Sequence, residues 1–425
     1  MTEAAAIPKP VEANRYAVLA LLFLVYTFNF LDRQILGILA VPIQEELKFT
    51  DTELGWLGGP AFAIFYTALG VPIAWLADRW SRTWIMTIAL TVWSGFTALC
   101  GLATSFLQLF LARVGVGVGE AGGVAPAYSL ISDYFPPKER ARALAAYSLG
   151  IPVGSAAGVA LGGIVASLVD WRAAFITVGL LGVGLAPIFR AFVREPRRGR
   201  FDTAPQTATK AAGFLEVLAT LAKKPSFWLL SFGAASSSIM GYGALFWIPS
   251  FLRRSYEFDL QQAAYFFSAI LMIGGCAGVW LGGVLADWLG QRSRRAYTLA
   301  PAAAFILTAP CYALGILSPS PSVAFFLFMA PTALSLVWIG PVLAAMQHMA
   351  PAHMRTTASA AFLFINNLIG IGLGSLVIGA LSDALAAQYG ADSLRYSILA
   401  GSSLYVLAAL LMLIASRFIV RDWVD

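Results

Sequence analysis

Two pairs of charged residues interrupt long apolar stretches of the sequence. Asp32 and Arg33 are adjacent in FNFLDRQILG, and Arg113 and Glu120 are seven residues apart in LFLARVGVGVGEAG. Adjacent residues of a helix point about 100° apart, so Asp32 and Arg33 cannot face each other. Residues seven apart lie on one helix face, about 10.5 Å apart along its axis. Asp32 and Arg33 therefore need partners on other helices, or water.

The surrounding sequence has the composition of a membrane protein. Of the 425 residues, 59% are hydrophobic and 12% charged, whereas soluble domains carry about 25% charged residues. Twelve apolar stretches have the ~20 residues that a helix needs to cross a bilayer, and they lack the alternation of barrel strands. The sequence predicts an all-α integral membrane protein with twelve transmembrane helices. They lie near 16–40, 54–76, 83–104, 106–131, 141–167, 172–192, 226–252, 260–286, 296–317, 322–349, 356–383 and 395–417.

The distribution of basic residues predicts the orientation. The N-terminus, every second loop and the C-terminus together carry 21 of the 28 lysines and arginines, and the remaining loops carry five. By the positive-inside rule, we expect both termini in the cytoplasm and a multi-pass location in the cell (inner) membrane. No cleaved signal peptide is expected. The net charge of +6 is explained by topology, and no nucleic-acid partner is expected.

The chain divides into two halves. The longest polar stretch, 194–224, is predicted to be a cytoplasmic linker that includes a short amphipathic helix, FLEVLATLAKK, on the membrane surface. It separates an N-terminal six-helix bundle, 1–193, from a C-terminal six-helix bundle, 225–425.

The two halves also resemble each other in sequence. Asp78 and Asp287 follow corresponding spans at an offset of 209, and Pro136 and Pro351 correspond at 215. At a similar offset, Asp32 and Arg33 correspond to residues 239–242, which are all uncharged. A charge at the centre of a span costs about 2.5–3.5 kcal/mol, so deep charges need partners or water. We infer that the ionic network belongs to the first half alone.

Six plus six spans around a long middle loop resemble the major facilitator superfamily. Three motifs support the resemblance: the loop sequence GVPIAWLADRWSR after the second span, Arg113 followed by Gly117 and Gly119, and a glycine ladder from Gly150 to Gly163. The segments FNFLDRQILG, PIQEEL and SLISDYFPPKERARALAAYSLGIPVG further resemble the spinster branch, whose members are regarded as proton-linked carriers of sphingolipids and lysophospholipids. The ladder is associated in the family with antiporters, and it also aligns small residues for close helix packing.

The resemblance implies a substrate site near the membrane midplane, between two pseudo-symmetric bundles that rock to expose it alternately. It also implies a cytoplasmic gate, formed by Asp78, Arg79 and Arg82 and by their second-half counterparts Asp287 and Arg292. For Arg82 and Arg292, solvated loop charges are the alternative interpretation.

The residue types suggest separate roles for the acidic and the basic members of the four deep charges. A carboxylate beside an arginine stays ionised, and one that loses this partner takes up a proton. Asp32 and Glu120 are therefore the candidates for proton coupling. In the family's fold the first and fourth helices both line the cavity, so the resemblance implies ion pairs of Arg33 with Glu120 and of Asp32 with Arg113. The two arginines are then the counter-charges, and either suits a phosphate headgroup. The candidate cavity residues are Tyr26, Asn29, Tyr66, Tyr128, Ser236, Tyr242, Phe246, Asn366 and Asn367, for each of which a helix–helix contact is the alternative.

These features predict a proton-coupled secondary transporter of an amphiphilic, lipid-like substrate, with membrane lipids around it. Its two histidines and three cysteines show no metal-ligand or nucleophile pattern, so we expect neither an enzyme nor a cofactor or metal. We expect a monomer. Three alternatives stay open: a drug/proton antiporter, an organic anion symporter, and a membrane sensor that binds ligand without transporting it.

Overall fold

The computed structural model describes residues 14–201, 214–290, 293–351 and 354–424, and within these ranges the regular structure is helical, without strands. The α-helices are α1 (Arg15–Leu47), α2 (Asp51–Gly58), α3 (Pro60–Ala77), α4 (Arg82–Cys100), α5 (Phe106–Glu120), α6 (Val124–Tyr134), α7 (Pro137–Ser148), α8 (Gly150–Leu168), α9 (Trp171–Phe192), α10 (Phe214–Ala222), α11 (Pro225–Tyr256), α12 (Leu260–Gly290), α13 (Ala296–Leu317), α14 (Pro321–Leu334), α15 (Ile339–Gln347), α16 (Arg355–Tyr389), α17 (Ser393–Gly401) and α18 (Ser403–Asp422).

These helices fit the predicted twelve crossings. Ten apolar stretches of the described chain are long enough to span a membrane. One of them, Thr357–Asp422, has 66 residues and makes two crossings, because α16 turns back into α17 and α18. The short helices α5 and α6 together supply the remaining crossing. The all-α multi-pass fold is thereby confirmed.

Two crossings are broken at corresponding points of the repeat. The break between α5 and α6 begins after Glu120, where the amides of Gly122 and Gly123 bond to carbonyls only three residues back. The break between α14 and α15 begins at Ser335, which is Glu120 shifted by 215. Tight turns of this kind mark places where a helix bends. The first break thus places Glu120 at a helix end within the membrane.

The glycine ladder packs α8 against α1. A Cβ atom on Gly158 would lie 2.5 Å from the carbonyl oxygen of Leu31, and one on Gly162 would lie 2.9 Å from Ile35. Only glycine permits this approach of two backbones. The ladder therefore fixes the helix that carries Asp32 and Arg33, which favours the packing interpretation of this motif.

Hydrogen bonds join the two halves on the side opposite the arginine-rich loops, which we call the far side. Arg254 on α11 donates two bonds of 2.7 Å to Asp51 on α2 and one of 2.7 Å to Gln44 on α1. Asp383 on α16 accepts bonds from the Thr52 amide, at 2.7 Å, and its hydroxyl, at 2.5 Å. These bonds hold the far side closed.

The backbone allows this closure because α2 is rich in glycine where it meets α16. A Cβ atom on Gly55 would lie 2.8 Å from Leu376, and one on Gly59 would lie 2.6 Å from the Gly372 carbonyl oxygen. On the opposite side, which bears the arginine-rich loops and is called the basic side, no hydrogen bond or ion pair between the halves occurs among the residues that the structure describes. Within the described chain, the hydrogen bonds that join the halves therefore lie on the far side.

The linker includes the predicted short helix, α10. Val217 and Leu221 on its apolar face are buried where α10 contacts α16 and α11. Lys224, just after α10, donates a 2.6 Å bond to the Asp422 carbonyl oxygen at the end of α18. This helix is therefore attached to the second half.

Candidate substrate and proton site

An ion pair between α1 and α5 occupies the centre of the first half. The Arg33 Nε donates a 2.7 Å hydrogen bond to the Glu120 carboxylate, and the Glu120 side chain is fully buried. This is one of the two pairs that the family resemblance implied. A carboxylate buried this deeply would be costly without a counter-charge, so Arg33 and Glu120 stabilise each other.

Aromatic rings enclose the Arg33 guanidinium. Its carbon lies 5.0 Å from the centroid of the Phe30 ring, 4.7 Å from Phe62 and 4.6 Å from Tyr66. Such ring faces stabilise a cation that has lost water. The Nη2 atom of Arg33 has no hydrogen-bond partner among the described residues, so it is available to another acceptor.

Asp32 does not pair with Arg113, and that prediction is wrong. Asp32 is 1% exposed, and neither of its carboxylate oxygens has a hydrogen-bond partner in the described chain. The neighbouring Trp93 and Thr97 are neutral residues of α4. Because α1 directs Arg33 towards α5, the residue beside it must point to another face, and here that face meets α4.

Arg113 uses a different partner from the one expected. Its Nε donates a 3.3 Å bond to the Leu57 carbonyl oxygen, and its Nη1 has no partner among the described residues. Leu57 lies in the last turn of α2, where carbonyls lack partners within the helix. The break between α2 and α3 thus supplies the acceptor for Arg113.

A small cavity lies between the two halves beside these charges. Arg33, Gln34 and Arg113 line it from the first half, and Tyr242 and Phe246 line it from the second. Its volume is about 30 Å³, which holds water but no lipid-sized molecule. A larger ligand can enter only when the halves move apart.

The other candidate cavity residues fall into two groups. In the first half, Tyr26 stacks on Tyr147 at 4.2 Å, and both side-chain atoms of the buried Asn29 amide lack aligned partners among the described residues. Tyr128 is 41% exposed.

In the second half, two candidates bond within their own bundle. Ser236 donates to the Phe232 carbonyl oxygen, and Asn366 accepts from Ser238 at 2.9 Å. These contacts favour the helix–helix interpretation. Asn367 is half-buried.

The gate residues of the first half make no bond to the second half among the residues that the structure describes. Arg82, far from being a solvated loop charge, is 1% exposed and donates to Asp133 at 2.5 Å and to Glu195 at 2.6 Å, all within the first half. Asp78 is exposed, and Arg79 lies over the Trp75 ring. The Asp287 side chain and Arg292 lie outside the described residues.

Sequence reasoning missed the far-side contacts of Asp51, Arg254 and Asp383. Nothing in the local sequence of these residues assigns partners about 200 or more residues away. The cluster Gly55, Gly58 and Gly59 was the available signal, since adjacent glycines in an apolar helix indicate close backbone approach.

The family is identified by a sequence match that covers most of the chain. The model of the Major Facilitator Superfamily matches residues 22–375. The chain belongs to the Major Facilitator Superfamily. Members of this superfamily are transporters, so the chain is a multi-pass membrane transporter and not an enzyme, as expected.

Comparison with solved structures supports the expected branch. A crystal structure of a bacterial homologue of the human lysosomal transporter spinster, inward-facing and unoccupied, is 31% identical to this chain. It superposes with a TM-score of 0.88 over 98% of this chain and all of the other. The closed far side agrees with the inward-facing state of that neighbour.

Curated relatives have several different names. An MFS-type efflux pump of Mycolicibacterium smegmatis is 32% identical over 96% of this chain and 94% of its own length. Spinster homolog 3 of Danio rerio is 29% identical over 97% and 86%. The sphingosine-1-phosphate transporter SPNS2 of Danio rerio is 26% identical over 93% and 82%. The resemblance to spinster proteins is therefore confirmed.

Proposed function

We propose that this protein is a proton-coupled secondary transporter of an amphiphilic, lipid-like substrate of the lysophospholipid or sphingolipid type. The observation that carries the proposal is the unpaired Asp32 carboxylate directly beside the Arg33–Glu120 ion pair. A buried carboxylate without a partner favours its neutral, protonated form, whereas one with water or a cation ionises. Motion that changes the surroundings of Asp32 therefore loads or releases a proton.

The same charges serve alternating access. With the far side closed, Glu120 holds Arg33, and the free Nη2 of Arg33 and Nη1 of Arg113 remain unused. Separation of the halves on the basic side admits substrate to these donors. Release of the proton from Asp32 leaves an additional negative charge near Arg113, which then competes with an anionic headgroup for that arginine. Proton and substrate are thereby linked through a single guanidinium.

The walls of the cavity suit an amphiphile. Arginines on the first half bind a phosphate or carboxylate bidentately. The opposite wall, with Tyr242, Leu245 and Phe246, offers apolar and aromatic surface for a chain. One relative is named as a transporter of a lipid phosphate, which is consistent with this chemistry.

The test is transport in proteoliposomes that hold a pH gradient. We expect Asp32→Asn to bind a fluorescent lysophospholipid but to lose the gradient-driven part of its flux. The matched control is Asp392→Asn, which neutralises an exposed carboxylate paired with Arg395 at 3.3 Å. Undiminished gradient-driven flux in Asp32→Asn refutes the coupling role.

Two other cargoes are tested in the same vesicles. The 32% identity to an efflux pump favours drug/proton antiport as the second candidate, and the unpartnered donors of Arg33 and Arg113 also suit a small organic anion. Competition of labelled lysophospholipid by a cationic dye or by a hexuronate separates these cargoes. Binding without any flux identifies a sensor.

We further propose that the chain acts as a monomer of two six-helix bundles in the inner membrane, with both termini in the cytoplasm. The excess of lysine and arginine in alternate loops supports the orientation. Labelling of an added N-terminal cysteine by an impermeant reagent tests it, since labelling in intact cells contradicts the proposal.

A further inference from the structure

A second polar pocket opens on the basic side, within the first half and away from the cavity between the halves. Its volume is about 310 Å³, and Arg82, Ser129, Ser132, Asp133, Arg140 and Arg198 line it. The start of α4, the end of α6, the start of α7 and the chain after α9 surround it. Of these residues only Arg82 belongs to the expected gate, and the others have no part in the proposed transport cycle.

The two carboxylates around the pocket are already satisfied. Asp133 accepts a 2.5 Å bond from Arg82 and a 3.0 Å bond from the Gly199 amide. Glu195 accepts bonds from Arg82, at 2.6 Å, and from the Thr83 amide, at 3.0 Å. Arg82 is therefore neutralised in place and is not available to a ligand.

The other two arginines are held by neutral groups. Arg140 donates to the Ser132 carbonyl oxygen at 2.9 Å, and Arg198 donates to the carbonyl oxygens of Ala77 and Trp80 at 2.6 Å. Among the described residues, neither has a carboxylate within 4.0 Å, and the buried Arg140 Nε has no partner. Carbonyls orient these guanidiniums but leave their charge uncompensated.

The pocket lies at the depth of lipid headgroups. Trp80 and Trp84, two residues before and after the lining residue Arg82, are 48% and 44% exposed. Exposed tryptophans at one end of a transmembrane bundle mark the membrane–water interface. An anionic headgroup at this level would meet Arg140 and Arg198 directly.

We propose that this pocket binds a phosphate group, with Arg140 and Arg198 as its charged ligands and the Ser129 hydroxyl as a further donor. Ser129 accepts a bond from Arg82 at 2.8 Å, so its own proton is free to point into the pocket. Two guanidiniums in fork geometry suit a phosphate better than any neutral ligand. The phosphate is supplied by an anionic phospholipid headgroup or by free inorganic phosphate.

The test measures binding by the purified full chain, without transport. Dihexanoyl phosphatidylglycerol and dihexanoyl phosphatidylcholine are compared by native mass spectrometry, and inorganic phosphate by calorimetry. We expect Arg140→Gln/Arg198→Gln to weaken binding of phosphatidylglycerol at least tenfold, since each lost bond joins two charges. The control, Arg142→Gln, removes one exposed arginine of α7 outside the pocket and should bind as the wild type does.

The outcomes separate the two sources of phosphate. Displacement of phosphatidylglycerol by millimolar inorganic phosphate identifies a free-phosphate site, and binding without displacement identifies a headgroup site. If the glutamine variant unfolds, Arg140→Lys/Arg198→Lys keeps the charges but loses the forks, and a severalfold loss of affinity is then expected. Equal binding by wild type, pocket variant and control overturns the proposal, as does a wild type that binds neither phosphate nor phosphatidylglycerol.

Discussion

The far-side closure can be weakened by a single substitution, Arg254→Gln. This change removes the two bonds to Asp51 and the bond to Gln44, all of 2.7 Å, that cross between the halves. The side chain of Arg254 is 20% exposed and that of Asp51 is 6% exposed. A charge-assisted bond in such a setting contributes about 1.5–3 kcal/mol. Three such bonds are lost, so the equilibrium between the closed and open far side should shift at least ~10-fold towards opening, which is the effect of losing the weakest single bond.

The assay is electron–electron resonance distance measurement between two spin labels on the far side. The exposed residues Lys48, at the end of α1, and Ala387, on α16, are changed to cysteine. The native cysteines Cys100, Cys276 and Cys311 are first replaced by alanine. We expect Arg254→Gln to add or enlarge a population with a longer distance between the labels.

A matched control is Arg395→Gln, which removes a far-side arginine whose partner, Asp392, lies in the same half at 3.3 Å. It should leave the distances as in the wild type. The reasoning is refuted if Arg254→Gln and Arg395→Gln give the same distance distribution, because the bonds to Asp51 would then contribute nothing to closure.

Two further predictions concern stability. Gly158→Leu should lower the unfolding temperature strongly, because the leucine side chain would clash with the Leu31 backbone. The control Gly184→Leu should leave the unfolding temperature unchanged, because nothing lies within 4 Å of that position. Equal effects of the two variants in scanning fluorimetry would contradict the packing role. Although burial opposes its ionisation, bonds from the Thr83 amide and Arg82 hold the pKa of Glu195 below its ordinary value. Its stabilisation is therefore present above about pH 4.3 and is lost as pH falls through the lowered pKa. The unfolding-temperature gap between wild type and Glu195→Gln should close on acidification, and a gap independent of pH would oppose this.

The centre of the site was predictable where helix geometry and the family's arrangement of helices together decide. Arg33 and Asp32 cannot face each other, and the repeat leaves no charge in the second half, so Glu120 was the natural partner of Arg33. The partner of Asp32 depended on the rotation of α1 against α4. The partner of Arg113 depended on a helix break at Gly59–Pro60, which leaves the Leu57 carbonyl oxygen without a partner in its helix. A search of the sequence for charged side chains does not find a backbone acceptor of this kind.

Charges at the helix ends were harder to place. The position of Arg82 in a polar loop sequence is typical of a solvated charge. It is nevertheless buried, because Asp133 and Glu195, from two other segments, form ion pairs with it. Arg254 and Asp51 are 203 residues apart. Which loop charges meet depends on how the two bundles dock. The hydrophobic periodicity of each bundle is the same in every docking arrangement, so it does not predict these contacts. The spans can thus be derived from the sequence, whereas contacts between distant spans cannot.

The length of α1 has a mechanical consequence. It is one continuous helix of 33 residues that contacts α7 near Arg15, holds Glu120 through Arg33, and reaches Arg254 through Gln44. At 1.5 Å per residue, Gln44 lies ~16 Å and Arg15 ~27 Å from Arg33. A tilt of ~10° about Arg33 therefore moves these ends by ~3 Å and ~5 Å, more than a hydrogen bond tolerates. Because α1 can tilt about Arg33, a rotation too small to break the ion pair of Arg33 with Glu120 is enough to break the hydrogen bond of Gln44 on the far side.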